Sequence, residues 1–445
     1  MVNKFTFKAW LFLKTNRIIA TYLLIGYTSF VNLLTLPTII SCLSVKEYGM
    51  MVLLNQMSAI VSGIVTFALP SIINVNSGLP FTDQKSVLLN MFIFVGLVSI
   101  ILVFPTSYLL HLFFNRDVSA EVIRIFILNG VISVLNQSIL ICFRNIDENF
   151  KIIGLVFTYT VCAACGVVVF IPESHDKVVT VGVVFLTANL STFIISQKTC
   201  FSYHDYRKCL RFSKFNDFLV NIKYGAWVML ASILVIINSF AVRFFVFKKI
   251  SAEAVGYLGY VSTIVSIIDM IVFTALSQLW ARQRIESSSV LLFFKLLDKY
   301  FYRHTMVITL IAACLSGLGF LPLNIREIRG FGFVNDWLPF LLSSCYIKSI
   351  VSLFDDGIYT NKRGDCMLKS ATVGLLITLI GCCGVYFFDL RDVKYYLAVD
   401  LIGSTGFILT IRHYSIRLGG RVMAGSKTLF LISTCLTPLC RLWTS

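Results

Sequence analysis

Charged residues are scarce in this chain. They make up 13% of its 445 residues, whereas soluble domains contain about 25%. Hydrophobic residues make up 57%, and the mean hydropathy is +0.85. So few charges cannot cover the surface of a water-soluble fold of this length, which excludes a string of soluble domains. The composition therefore predicts a polytopic integral membrane protein.

The chain also lacks the groups on which most enzymes and metalloproteins depend. Its five histidines are isolated from one another and from any nucleophile, and no phosphate-binding P-loop is present. The 13 cysteines are scattered and mostly fall in apolar segments, as small buried hydrophobes do, and they form no disulfide framework. No small-residue cleavage site follows the basic N-terminus, so a removed signal peptide is not expected. We expect no catalytic site, no metal site and no cofactor.

Acidic residues are few as well. There are 22 of them against 38 Lys and Arg residues, which gives a net charge of +16. The basic residues lie in loops and form no basic face on a soluble domain, so nucleic acid is not an expected partner. Loop charge of this kind is a topology signal, and juxtamembrane clusters of it lie on anionic lipid headgroups. Membrane lipids are therefore expected partners.

Long apolar stretches dominate the sequence. A helix needs about 20 apolar residues to cross the hydrocarbon core, and twelve stretches meet that length. They are 18–44, 51–75, 86–114, 122–143, 152–171, 178–197, 223–247, 254–280, 304–323, 338–360, 367–388 and 395–411. A further run, 428–440, is shorter and contains Pro438, so we interpret it as an interfacial segment, with a thirteenth span as the alternative.

The distribution of charge orients these spans. With the N-terminus inside, alternation over twelve spans places more than twice as many Lys and Arg residues inside as outside, as the positive-inside rule requires. Both termini are therefore predicted to be cytoplasmic. The basic loop 198–222 is a linker between an N-terminal bundle, 1–197, and a C-terminal bundle, 223–411, and a cytoplasmic tail follows at 412–445.

An internal repeat relates the two halves. The segment 44–49 reads Ser-Val-Lys-Glu-Tyr-Gly and the segment 251–256 reads Ser-Ala-Glu-Ala-Val-Gly, an offset of 207 residues. Each copy lies on an outside hairpin after the first helix of its half. The repeat predicts an all-α membrane protein of twelve transmembrane helices, in two six-helix bundles related by a pseudo-two-fold axis along the membrane normal, with substrate bound between the bundles.

Three prolines distinguish the first half from the second. Pro37, Pro70 and Pro105 fall in the first three spans, and the repeat-equivalent positions hold other residues. Proline removes a helical hydrogen bond and kinks or breaks a helix. Our hypothesis is that the first bundle bends during alternating access.

Two cations stand at membrane depth. Arg243 lies in the seventh span and Lys348 near the middle of the tenth. An ionised side chain in the bilayer costs at least about 2.5 kcal/mol, so it usually faces a bundle interior or a water-filled cavity. We interpret both residues as a cationic cavity for an anionic substrate group. For Arg243 the alternative is snorkelling to the nearby interface.

Acids and amides at the same depth are the other candidate site residues. Asp269, Asp355 and Asp400 are candidate coupling or cavity acids, and Lys348, Ser352 and Asp355 are spaced to share one helical stripe. An interhelical hydrogen bond or ion pair is the alternative role for each acid. The polar cavity candidates, which bind helices together as often as they line cavities, are Asn32, Gln56, Asn136, Gln137, Asn238 and Gln278.

The order of short motifs resembles that of a known transporter family. The motifs are Ser44-x-x-Glu-Tyr-Gly49, Lys223-Tyr-Gly225, Asn238-x-x-x-x-Arg243-Phe-x-x-x-Lys248 and Ser251-x-Glu-x-Val-Gly256. This pattern is similar to the O-antigen flippases (Wzx type) of the multidrug/oligosaccharidyl-lipid/polysaccharide exporters. The resemblance implies alternating-access movement of an undecaprenyl-pyrophosphate-linked oligosaccharide across the bacterial inner membrane, from the cytoplasmic to the periplasmic leaflet. It also implies a polysaccharide polymerase and a chain-length regulator as partners.

Two other functions remain open at this stage. A drug/cation antiporter of the same fold would use the acids, although two intramembrane cations favour an anionic substrate. An O-antigen polymerase or membrane glycosyltransferase would resemble chains with a long periplasmic loop. Here every predicted outside loop is short, so we expect a transporter rather than an enzyme.

Overall fold

The structure is a computed structural model that describes part of the chain. The described residues are 31, 34–39, 41–75, 80–113, 118–146, 148–201, 215–269, 293–303, 305–306, 334–355, 358, 363–421, 427, 432–433, 436 and 439. Within these ranges every regular element is a helix. The α-helices whose limits are defined are α1 Val45–Thr66, α2 Leu69–Val75, α3 Phe81–Phe113, α4 Ala120–Asn145, α5 Asn149–Phe170, α6 Lys177–Cys200, α7 Phe215–Lys249, α8 Ala252–Ile268, α9 Val334–Ser349, α10 Gly364–Phe387 and α11 Val393–Arg417.

Several of these helices are suited to a membrane. In the described part of the chain, seven are long and apolar enough to cross one: α1, α4, α6 and α10, and the larger parts of α3, α5 and α7. Their outer faces expose large apolar side chains, such as Ile100 on α3 and Phe387 on α10. Apolar surface on this scale is unstable in water and marks contact with lipid or protein. The protein is therefore a multi-pass membrane protein.

The prediction of twelve spans is met only in part. Helices lie at the predicted spans 86–114, 122–143, 152–171, 178–197, 223–247, 367–388 and 395–411. The spans 18–44, 254–280 and 304–323 fall wholly or partly outside the described residues, and so does most of 428–440. The chain divides into two compact units, Met1–Ile236 and Ile237–Ser445, with the boundary inside α7.

The first unit packs around α4, which lies against α1, α3 and α6. Ser44 begins α1 with a capping box, because its hydroxyl accepts from the Glu47 amide at 3.3 Å while Glu47 Oε2 accepts from the Ser44 amide at 2.7 Å. Small residues let α1 and α4 approach closely. A Cβ added at Gly130 would lie 2.5 Å from Ser58 Oγ, so this contact requires glycine.

The predicted span 51–75 is not one helix. It breaks at Phe67 and Ala68, both of which have left-handed backbone angles (φ 49° and 50°), and the chain resumes as α2 with Pro70 as its second residue. Proline donates no hydrogen bond to the preceding turn, whereas it is tolerated in the first turn of a helix. The break therefore falls where Pro70 predicts a kink.

The second unit contains the C-terminal part of α7 together with α8, α9, α10 and α11. Here α10 and α11 form a tightly packed helical hairpin. A Cβ added at Gly403 on α11 would lie 2.0 Å from Thr378 Oγ1 on α10 and 2.9 Å from the Gly374 carbonyl oxygen. Backbone contact this close is possible only without a side chain, so Gly403 fixes how the two helices sit together.

The turn between α10 and α11 is tied to the end of α7. Asp389 in this turn has a left-handed backbone (φ 56°), and its Oδ1 accepts from Lys249 Nζ at 2.6 Å. Arg391 also donates to Asp389, at 3.3 Å. The hydrogen bond from Lys249, reinforced by Arg391, holds the pKa of the Asp389 carboxyl below its ordinary value.

Candidate functional site

A buried carboxylate, that of Asp400 on α11, is the centre of the candidate site. Asp400 is 6% exposed within the second unit. Burying an ionised carboxylate is costly unless it is paired and hydrogen-bonded. Asp400 meets both conditions through donors from two other helices, α7 and α9.

Lys348 on α9 is the counter-ion of Asp400. Its Nζ lies 3.1 Å from Oδ1 and 3.1 Å from Oδ2, so the ammonium bridges both carboxylate oxygens. Ser239 Oγ on α7 accepts a longer bond from the same ammonium, at 3.4 Å. The Lys348 side chain is 24% exposed and the Asp400 side chain is 9% exposed. The Lys348 side chain is therefore the more exposed half of the pair.

Serines complete the coordination of Asp400. Ser344 on α9, one turn before Lys348, donates its hydroxyl to Asp400 Oδ2. Ser404 on α11, one turn after Asp400, lies 3.1 Å from the Ser344 hydroxyl and donates to the Asp400 carbonyl at 2.8 Å. These short bonds fix the rotamers of the pair within an otherwise apolar helix contact.

Asn238 on α7 leaves one polar atom unsatisfied in this site. Its Nδ2 donates to Asp400 Oδ1 at 2.9 Å. Its Oδ1 is buried and has no hydrogen-bond partner within the described residues, while the whole residue is 6% exposed. A buried acceptor without a donor costs about 1–3 kcal/mol. If the amide turned over, this oxygen could instead accept a hydrogen bond from a protonated Asp400.

Asp269 lies close to the same site. It follows α8 directly and is within hydrogen-bonding reach of the Cys345 thiol on α9, which in turn is near Lys348 and Asp400. No pairing partner lies close to Asp269 along the sequence, and the structure places a polar neighbour, Cys345, on α9.

Arg243 lies on α7 one turn beyond Ser239 and is half-buried. Residues four apart share a helix face, so Arg243 lies on the α7 face that carries the bond partner of Lys348.

The predicted stripe of Lys348, Ser352 and Asp355 does not form. Helix α9 ends at Ser349, and a 3₁₀ turn, Ile350–Leu353, follows it. Asp355 lies beyond that turn, half-buried and outside any helix. Because a 3₁₀ turn winds more tightly than an α-helix, the i, i+4, i+7 spacing of an α-helix does not apply across it.

The remaining amide candidates lie elsewhere. Asn136 is 1% exposed and joins α4 to α6, because its Nδ2 donates to the Asn189 carbonyl at 2.9 Å and to Asn189 Oδ1 at 3.3 Å. Gln137 is exposed and Gln56 is half-buried. Asn32 and Gln278 lie outside the described residues.

The serines are the site residues that the sequence analysis missed. Ser344 precedes Lys348 by four residues and Ser404 follows Asp400 by four. A small hydroxyl one helical turn from an intramembrane charge is a usable signal, although serine is common in membrane helices for other reasons.

Comparisons with known proteins assign the fold. No protein-family model matches the sequence, and no curated protein matches it at a significant level. The structure, however, is similar to an outward-facing multidrug resistance MATE family transporter of the MOP superfamily. The TM-score is 0.59 at 12% identity, over 92% of this chain and 95% of that one.

Two further solved structures agree. A MATE structure in the bent conformation gives a TM-score of 0.61 at 11% identity, over 96% of this chain and 97% of that one. A MOP superfamily transporter from Pyrococcus furiosus, described as having a binding pocket of reverse polarity, gives 0.58 at 12% identity, over 92% and 95%. The chain therefore has a MATE-like transporter fold.

Proposed function

We propose that this protein is a transporter that flips an undecaprenyl-pyrophosphate-linked oligosaccharide from the cytoplasmic to the periplasmic leaflet. The observation that carries the proposal is the partly exposed Lys348 side chain, whose ammonium is held by the buried Asp400 carboxylate. Ionisable groups at such depth mark substrate and ion pathways. The MATE-like fold supports transport, and the order of the sequence motifs supports a lipid-linked sugar.

The chemistry of such a substrate fits the two cations. Its diphosphate is anionic and needs charge-assisted donors once it leaves water. Arg243 offers a planar, permanently charged guanidinium, and Lys348 offers a compact ammonium. The apolar tail of the substrate needs no site, because it stays in the lipid.

The test uses a polysaccharide-producing bacterium that lacks this gene. We expect the lipid-linked repeat unit to accumulate on the cytoplasmic leaflet, and wild-type protein to relieve the accumulation. Arg243→Ala and Lys348→Met should fail to relieve it at equal membrane levels. Lys369→Met is the matched control, since Lys369 is an exposed basic residue on α10 (57% side-chain exposure).

Another result would reverse the proposal. Single repeat units displayed on the periplasmic side, without long chains, would show that the lipid crosses without this protein. The polymerase hypothesis would then replace the flippase.

A drug/cation antiporter is the second candidate. Asp400 favours it, because a buried carboxylate within a MATE-like fold offers a site for a cationic substrate. Energised export of ethidium from cells that express the protein, abolished by Asp400→Asn and insensitive to Arg243→Ala, would select the antiporter.

A further inference from the structure

The counter-ion of Asp400 is the ammonium of Lys348, a side chain that is itself partly exposed. Lys348 Nζ directs hydrogen bonds to both oxygens of Asp400 at 3.1 Å. The side-chain exposures of 24% for Lys348 and 9% for Asp400 show from which partner a third group can approach. An anion that binds Lys348 must share it with Asp400 or displace the carboxylate.

Asn238 can hydrogen-bond to Asp400 in either protonation state. At present Nδ2 donates to the ionised carboxylate at 2.9 Å, and Oδ1 is buried without a partner in the described chain. A carboxylic acid has one O–H to donate, and an amide carries both a donor and an acceptor. Turning the amide over places Oδ1 where Nδ2 now lies, ready to accept that O–H.

From these two observations we propose that Asp400 and a diphosphate group compete for the ammonium of Lys348, and that Asp400 takes up a proton when it loses this partner. The inference rests on the proposed function, because the competing anion is the diphosphate of the transported lipid. One proton adds to one carboxylate oxygen of Asp400. Lys348 remains an ammonium, and the Asn238 amide turns to accept a hydrogen bond from the new O–H. No other covalent bond to hydrogen forms or breaks.

The charged and titratable groups around Asp400 are consistent with this exchange. Lys348 and the Cys345 thiol face it from α9, the Cys382 thiol faces it from α10, and Asp269 lies beside Cys345. Among these groups Lys348 supplies the positive charge at hydrogen-bond distance. Removing an opposite charge favours the neutral form of a carboxyl. Proton and diphosphate binding are therefore positively linked, and the linkage acts equally in both directions.

Proton uptake on ligand binding is the direct measurement. Purified full-length protein in lipid nanodiscs is mixed with farnesyl diphosphate in weakly buffered solution that contains a pH dye. We expect wild-type protein to take up as much as one proton per bound ligand and to bind more tightly at about pH 6 than at about pH 8. The gain can reach at most about tenfold per pH unit, the limit for one linked proton.

Variants can distinguish the effect of proton uptake from the effect of diphosphate binding. Asp400→Asn imitates the neutral carboxyl, so it should bind farnesyl diphosphate about 5- to 150-fold more tightly at the higher pH, the usual range for two coupled ligands, and take up no proton. Asn238→Leu keeps the ion pair but removes the acceptor for the protonated state, so its proton uptake should fall. The pair Lys348→Met with Asp400→Asn removes both charges and should lose binding while it stays folded.

Asp389→Asn is the matched control. It neutralises a carboxylate that also pairs with a lysine, Lys249, but lies outside the membrane-spanning segments. Its proton uptake and affinity should equal those of the wild type.

The possible failures are distinct from one another. Binding without proton uptake, and without tighter binding in Asp400→Asn, would overturn the competition and leave the flippase intact. No binding of farnesyl diphosphate at any pH would overturn the proposed function together with this inference. Inorganic diphosphate should cause the same proton uptake, but at a higher concentration than farnesyl diphosphate. If phosphatidylglycerol in the nanodisc caused proton uptake and neither diphosphate did, the ligand of the Lys348 ammonium would be a membrane lipid. That result would overturn the proposed competition.

Discussion

At the scale of single residues, the described chain uses buried polar groups in two different ways. Asp400 gathers its hydrogen bonds from α7 and α9 around a charge that stays partly accessible through Lys348. Asn136 is enclosed, and its donors are used up between α4 and α6. Lys348 gives the first arrangement a charged side chain that is partly exposed, so the proposed transport chemistry belongs to Asp400, and we expect a structural role for Asn136.

The structural role of Asn136 can be tested by Asn136→Leu. We expect a loss of about 0.6–1.7 kcal/mol, the measured range for interhelical hydrogen bonds in membranes, seen as a lower unfolding temperature in detergent. Polysaccharide export at a permissive temperature should be unchanged. The exposed neighbour Gln137 provides the control variant Gln137→Leu. Lost export with unchanged stability would return Asn136 to the sugar-binding residues.

The sequence identified single residues of the site more easily than their pairing. Lys348, Asp400 and Asn238 are each conspicuous as polar groups in apolar spans. Their association was not predictable, because Lys348 and Asp400 are 52 positions apart on helices whose contact depends on packing. The predicted stripe with Asp355 required α9 to continue beyond Ser349, but a 3₁₀ turn follows that residue.

At the scale of elements, hydropathy located α4, α5, α6 and α10 to within a few residues at both ends, and it missed the limits of other helices by more. An apolar stretch specifies that a helix is stable in lipid but not that it is continuous. The break at Phe67 and Ala68 and the close contact at Gly403 both depend on local backbone geometry that a hydropathy average does not contain.

The helix contact at Gly403 leads to a stability prediction. Gly403→Ala places a methyl group within 2.0 Å of Thr378 Oγ1 and 2.9 Å of a backbone oxygen. We expect a destabilisation of about 1–3 kcal/mol, because inserted methyl groups force backbone shifts in close-packed contacts. The control is Gly384→Ala on α10, where nothing lies within 4 Å. Equal unfolding temperatures for the two variants would contradict the close approach.

The turn between α10 and α11 leads to a pH prediction. Because Lys249 holds the pKa of Asp389 below its ordinary value, the ion pair contributes stability that is complete above the unfolded pKa of about 3.9. That contribution is lost as the pH falls through the lower folded value. The difference in unfolding temperature between wild type and Asp389→Asn should therefore be constant near neutral pH and shrink below about pH 4. Asparagine tolerates left-handed backbone, so the substitution keeps the turn, and a difference that grows in acid would contradict the assignment.

At the scale of the whole molecule, the two compact units and the MATE-like fold agree with the class of protein that the composition indicates. Orientation in the bilayer stays a prediction, which depends on the distribution of Lys and Arg residues over the loops. Cysteine labelling can test it with a cysteine-free background. A cysteine placed at Ser174 or at Asp389 should react with a membrane-impermeant maleimide added outside, and one placed at Lys198 should react only after the cells are opened. The reverse pattern would invert the topology.

The glycine contact between α10 and α11 also has a mechanical consequence. Since Gly403 locks the two helices backbone to backbone, the hairpin is stiff, and Asp400 is attached to it three residues away. An axial slip of the hairpin by about 2–3 Å against α7 and α9 would stretch the bonds from Asn238, Ser344 and Lys348 to the carboxylate beyond hydrogen-bond range. The bond from Ser404 would survive, because it lies within α11. The Asp400 carboxylate would therefore lose its partners on both neighbouring helices in a single sliding movement of the hairpin.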